Sequence, residues 1–96
     1  MERQGRLRLV ASPEAKDGCL RIHQDLSLYA TILEQGETVR HAFKGERYGW
    51  LQVVEGDVTL NGTTLSAGDG VAISGEPGAE LVGASPYLEA LLFDLG

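Results

Sequence analysis

Two histidines, His23 and His41, one cysteine, Cys19, and fourteen acidic side chains are the groups here with metal-binding or catalytic potential. His41 and His23, together with Glu37 or Asp25, have the donor types that hold a divalent ion. Two imidazoles are few for a centre that must also leave open positions, and no spacing rule brings these four groups to one point. Without such convergence, both histidines read as partly exposed strand residues. Cys19 follows Asp17-Gly18. A nucleophilic thiolate needs an electropositive setting and a nearby base. Its sequence neighbours supply neither, so it reads as an inert thiol. No Ser-His-Asp pattern, P-loop or G-x-G-x-x-G run is present. Tyr29, His41, Tyr48, Trp50 and Gln52 are the remaining set, candidates to line an apolar pocket with a few polar contacts. The alternative for Trp50 is burial in the core or against a neighbouring domain, given the area an indole covers.

The elements that would position these groups repeat with a period of two. Leu26-Ser27-Leu28-Tyr29-Ala30-Thr31-Ile32-Leu33 is rich in strand formers and predicts a strand. Glu34-Gln35-Gly36-Glu37 predicts a turn, Val39 to Phe43 a short strand, and Lys44-Gly45-Glu46 another turn. Tyr48 to Glu55 is the next strand, with Trp50, Gln52 and Val54 on one face and Leu51 and Val53 on the other. Asn61-Gly62, between Val58-Thr59-Leu60 and Thr63-Thr64-Leu65, is a type I′ hairpin signal. Val71 to Ser74 and Glu80 to Val82 add two more strands, and Asp69 reads as a turn residue bonding its own backbone. At Ser85-Pro86 the local signals conflict, because Ser as N-cap and Pro at the first position resemble a helix start. Tyr87 to Leu95 is apolar on both faces, as a buried strand would be, and a strand is the expectation. Short strands at close spacing predict an all-β sandwich or barrel.

Ninety-six residues suffice for one core. A hydrophobic content of 43% with 23% charged residues argues against disorder. No apolar run approaches the length of a membrane span, and MERQGRLRL lacks a signal-peptide core, so a cytoplasmic location is expected. The lone cysteine agrees with that expectation. Net charge is −6, and all eight Lys and Arg lie at or before Arg47. Residues 48–96 carry acids only, which would repel a phosphate backbone, so no nucleic-acid partner is expected. Residues 1–18, with Arg3, Arg6 and Arg8, read as an arm or connector before a single domain over residues 19–96.

Gly36, Val53-Val54-Glu55-Gly56 and Leu65-Ser66-Ala67-Gly68-Asp69 resemble parts of the two cupin consensus stretches, G-x5-H-x-H-x3,4-E-x6-G and G-x5-P-x-G-x2-H-x3-N. RLRLVASPEAKDGCLRIHQDLSLYATIL, GDVTLNGTTLSAGDGVAIS and ALLFDL are more narrowly similar to the C-terminal half of pirin-like bicupins, a group that includes quercetin 2,3-dioxygenases. The resemblance implies a cupin-type antiparallel double-sheet β-barrel, or jelly roll. It also implies where ligands would stand. The glutamate falls on Gly49, the second histidine on Gly45 or Lys44, and the first on Phe43 or Ala42. In the second stretch the proline falls on Ser74 and the last histidine on Ala79. None of these is a ligand, so the expectation is a metal-free domain with no cofactor. In such bicupins the metal and the dioxygenase chemistry belong to the N-terminal half.

Three functions follow as expectations. The first is a non-catalytic structural or interaction module, either a homodimer or packed on a catalytic cupin half. In it the RLRLV arm could add a strand to a neighbour's sheet. The second is a small-molecule binding module using a vacant barrel pocket. The third is a divergent metal-dependent dioxygenase.

Overall fold

A computed structural model describes residues 7–12, 20–21, 26–44 and 47–95. The described residues form ten strands and no helix: β1 (Leu7–Ser12), β2 (Leu20–Arg21), β3 (Leu26–Leu33), β4 (Thr38–Ala42), β5 (Tyr48–Glu55), β6 (Asp57–Leu60), β7 (Thr63–Ser66), β8 (Gly70–Ile73), β9 (Gly78–Gly83) and β10 (Leu88–Leu95). Six of them form one sheet in the order β2-β1-β3-β10-β5-β8, and four form a second in the order β4-β9-β6-β7. Every pairing is antiparallel except the short β1–β2 contact. This is the all-β architecture that the strand pattern predicts, in the two-sheet form that the cupin resemblance implies.

The apolar run before the C-terminus is a strand because of its place in the sheet. β10 is flanked by β3 on one side and β5 on the other. Along it Leu88, Ala90, Leu92 and Asp94 are buried inside the barrel, while Glu89, Leu91, Phe93 and Leu95 on the outer face are half-buried. Ser85 caps the approach to β10 rather than a helix. Its Oγ accepts a hydrogen bond from the Asp57 amide at 2.9 Å and donates to the Tyr87 carbonyl at 2.8 Å.

Two turns show why particular residues stand where they do. Asn61 and Gly62 have φ of 47° and 89°. Leu60 pairs with Thr63 across them, the two-residue turn expected from Asn-Gly. Gly56 has φ of 79°, and a Cβ there would lie 1.9 Å from the Tyr87 carbonyl oxygen. Only glycine fits both demands. Asp69 does bond its own turn, its carboxylate accepting from the Ser66 amide at 2.9 Å.

Inside the barrel, Leu33, Val39, Phe43, Leu51, Val53, Val58, Leu60, Ile73, Leu81, Leu88 and Leu92 join one core cluster. The inward set alternates with an outward set along β5, where Gly49, Leu51 and Val53 are buried while Tyr48, Trp50 and Val54 are exposed. Part of the segment expected as an arm belongs to this fold. Leu7–Ser12 forms β1 and pairs with β3 of its own chain, with a register shift between Leu9 and Ala11. The remainder of residues 1–18 lies outside the described residues. Among those described, no helix is long and apolar enough to cross a membrane.

Candidate functional site

The barrel end where the resemblance would place a metal is built from β4, β5, β9 and β10. Gly49 is buried on β5, and a Cβ added to it would sit 2.5 Å from Cζ of Phe43. The Phe43 ring, 7% exposed, thus occupies the direction a glutamate side chain would take from this position. Ala79, 2% exposed, contributes only a methyl group from β9. Ser74 is exposed beyond β8 and Ala42 is exposed at the end of β4. Gly45 lies outside the described residues, and Lys44 is exposed.

The polar groups of this end stand one strand to the side. Asp94 is the register partner of Gly49, and His41 is the register partner of Ala79. They meet: His41 Nε2 lies 2.7 Å from Asp94 Oδ2. Arg47 donates through Nε to Asp94 Oδ1 and through its second guanidinium nitrogen to the Asp94 carbonyl at 3.2 Å. Asp94 is 8% exposed, and a carboxylate that buried must be paired and hydrogen-bonded. Both of its oxygens are. The His41 ring is held between two aromatics, Tyr29 at 4.7 Å with a 50° tilt and Phe43 at 5.1 Å nearly edge-on. Burial pushes the Tyr29 phenol above its ordinary range, the Asp94 charge adds to that, and Arg47 opposes it.

This donor set does not fit a cupin metal centre. One imidazole and one carboxylate are bonded to each other, and an arginine holds the second carboxylate oxygen. A catalytic ion needs several free donors converging with room for a substrate. Among the described residues, no group of three or more His, Cys, Asp or Glu side chains converges on a possible ion position. Glu37 does not join His41. Its carboxylate accepts from the Glu34 amide at 2.7 Å and closes the β3–β4 turn. His23, Asp25 and Cys19 lie outside the described residues. What the network does is mechanical: it ties β4 of the smaller sheet to β3 and β10 of the larger one.

The five side chains read as one pocket lining divide into two groups and one outlier. Tyr29 and His41 meet inside the barrel. Trp50 and Gln52 sit on the outer face of the six-stranded sheet, where with Leu91, Phe93 and Leu95 they line an open groove of about 400 Å³. The strand parity separates them, since Trp50 pairs with Phe93 on the face opposite Gly49 and Asp94. Trp50 Nε1 donates to Gln52 Oε1 at 3.4 Å, and Gln52 Nε2 donates to the Gly68 and Asp69 carbonyls at 3.3 and 3.1 Å. Tyr48 is 55% exposed and belongs to neither group.

Arg47 and Asp94 were not among the residues singled out by sequence. Asp94 had a readable signal: in Leu88, Ala90, Leu92, Asp94 it is the one charged residue on an otherwise apolar strand face. Arg47 had none, because it lies in the connection before β5, where no periodicity operates.

Comparison with known proteins agrees with the double-sheet fold. A family model described as the quercetinase C-terminal cupin domain matches residues 9–95. A quercetin 2,3-dioxygenase of Escherichia coli K12 is 47% identical over 87 residues, which are 91% of this chain and 37% of that protein. The crystal structure of YhhW from Escherichia coli superposes with a TM-score of 0.90 at 44% identity, covering 94% of this chain and 38% of YhhW. A second structure, the bacterial pirin YhhW in complex with nickel(II), gives 0.88 at 45% identity over 93% and 38%. The chain thus spans well under half the length of the relatives it matches.

Proposed function

The chain belongs to the quercetinase C-terminal cupin domain family, and from that membership we propose that it is a non-catalytic cupin that works by packing on another cupin half. The observation that carries this reading is the barrel end itself. Phe43 fills the space beside Gly49, Ala79 offers a methyl group, and the nearby acid and imidazole neutralise each other's bonding capacity. Such an interior has no place for an ion with open coordination sites. The dioxygenase named in the relatives, and the nickel of one of them, are assigned on this reading to the part of those proteins that this chain does not cover.

The packing surface is the outer face of the six-stranded sheet. Leu91, Phe93 and Leu95 of β10 stand in register between Leu26 and Leu28 of β3 on one side and Trp50 of β5 on the other. Trp50 is 38% exposed and held in place by Gln52. A contiguous apolar face with a fixed indole suits a stable interface better than open water. The occupant, on the bicupin resemblance, is another cupin half; more than half of the Escherichia coli dioxygenase and of YhhW lies outside the region shared with this chain, which leaves room for one.

Light scattering at micromolar concentration tests this. The chain is expected to form a 1:1 complex with the unmatched part of the Escherichia coli relative, or to self-associate when that part is absent. Phe93→Arg, which places a charge at the centre of the face, should abolish both while leaving the circular dichroism spectrum β-rich. A wild-type chain that stays monomeric under both conditions contradicts the proposal.

A further inference from the structure

With the metal end of the barrel closed by Phe43, the apolar interior is approached from another side. β7 is the last strand of the smaller sheet and β8 the last of the larger one. They diverge from the turn at residues 67–69, and β8 pairs only with β5 among the described strands. The wedge between them is about 290 Å³. Leu60 and Ile73, 7% and 5% exposed, form its floor and belong to the core cluster. Leu65 and Val71 form half-buried walls packed against that cluster. Ser74 and Glu76 stand at the rim.

The shape and the charge together specify a ligand. The volume is at the lower end of small-molecule sites, and the lining is mixed: Leu60, Leu65, Val71 and Ile73 offer an apolar part, and Asn61, Thr63, Ser74 and Glu76 a polar one, so an amphipathic ligand suits it. One wall is rigid, because Asn61 donates to the Gly78 carbonyl at 3.2 Å and accepts from the Glu80 amide at 2.7 Å. Among the residues lining the cleft, Glu76 is the one charged group and none is Lys or Arg. An anionic ligand therefore meets repulsion and no compensating cation, while a cationic one meets a carboxylate. We propose that the cleft between β7 and β8 binds a small aromatic monoamine, its ring between Leu65 and Val71 and its ammonium group at Glu76. The site is separate from the sheet face used for packing, so it stands or falls independently of the module reading.

The test is a pair of titrations of the full chain followed by 1H–15N correlation spectra. One uses phenethylamine and the other 3-phenylpropionate, of similar size and opposite charge. Phenethylamine is expected to shift the Leu65, Val71, Ile73 and Ser74 amides and to bind about fivefold tighter than 3-phenylpropionate at low ionic strength. Glu76→Gln, an exposed loop substitution, should bring the two probes within about twofold of each other. Val71→Phe, which fills the wedge, should weaken both, and if that variant fails to fold the Glu76→Gln comparison decides alone. The absence of shifts at millimolar phenethylamine overturns the proposal. So do shifts confined to Trp50 and Phe93, or a charge preference that survives Glu76→Gln.

Discussion

Asp94 is the one buried carboxylate among the described residues, and its worth lies in what it joins. It holds His41 and Arg47 at once, so removing it takes the carboxylate partner away from a largely buried imidazole and from one side of a guanidinium. Breaking a buried pair by deleting one partner costs far more than the pair contributes over a hydrophobic replacement. Asp94→Ala should therefore lower unfolding free energy by about 3 kcal/mol, measured by urea denaturation. A loss within the range of ordinary surface substitutions would mean the network is incidental. Tyr29 reports on the same end of the barrel through pH. Its folded phenol titrates above the ordinary phenol value of 10.0, chiefly because it is buried. Between that value and its folded one, the unfolded chain has released a proton that the folded chain retains. Stability must then fall as pH rises through that window. Tyr29→Phe should remove this part of the alkaline slope, and comparison of the two denaturation profiles above pH 10.0 checks it.

At the scale of the elements, the contact between Phe43 and Gly49 links β5 to the end of β4. Gly49→Ala drives a methyl group into the Phe43 ring, an overpacking that costs about 1–3 kcal/mol in a well-packed core. Phe43→Leu in the same chain should recover part of that loss, and a double-mutant cycle should show the two sites coupled. Additive effects would place the ring elsewhere. The sheet architecture was legible because alternation, the Asn61-Gly62 turn and the Gly56 turn are local signals, each acting within a few residues. The site was less so. Sequence parity placed Trp50 and Gln52 opposite Leu51 and Val53, and that is where they lie. Parity along one strand does not say which face of a second strand meets it, so Tyr29 and His41 could not be told apart from Trp50. The expected pocket of five residues was divided by that missing information. Likewise Asp94 beside Gly49 and His41 beside Ala79 are register facts between strands distant in sequence.

For the whole molecule, the two sheets close on an interior in which His41, Asp94 and Arg47 are bonded to one another. The Escherichia coli relatives continue well beyond the region shared with this chain, and the proposed division of labour puts chemistry in the part not shared and packing in the part described. The most direct test is the metal content of the full chain, expressed without a metal-affinity tag and measured by elemental analysis. Below about 0.1 equivalent of nickel, iron, copper, manganese or zinc is the result expected from a barrel end with no free ligands. Near-stoichiometric metal that is lost in His41→Ala would contradict the account, because it would make the His41–Asp94 pair a ligand set rather than a clasp.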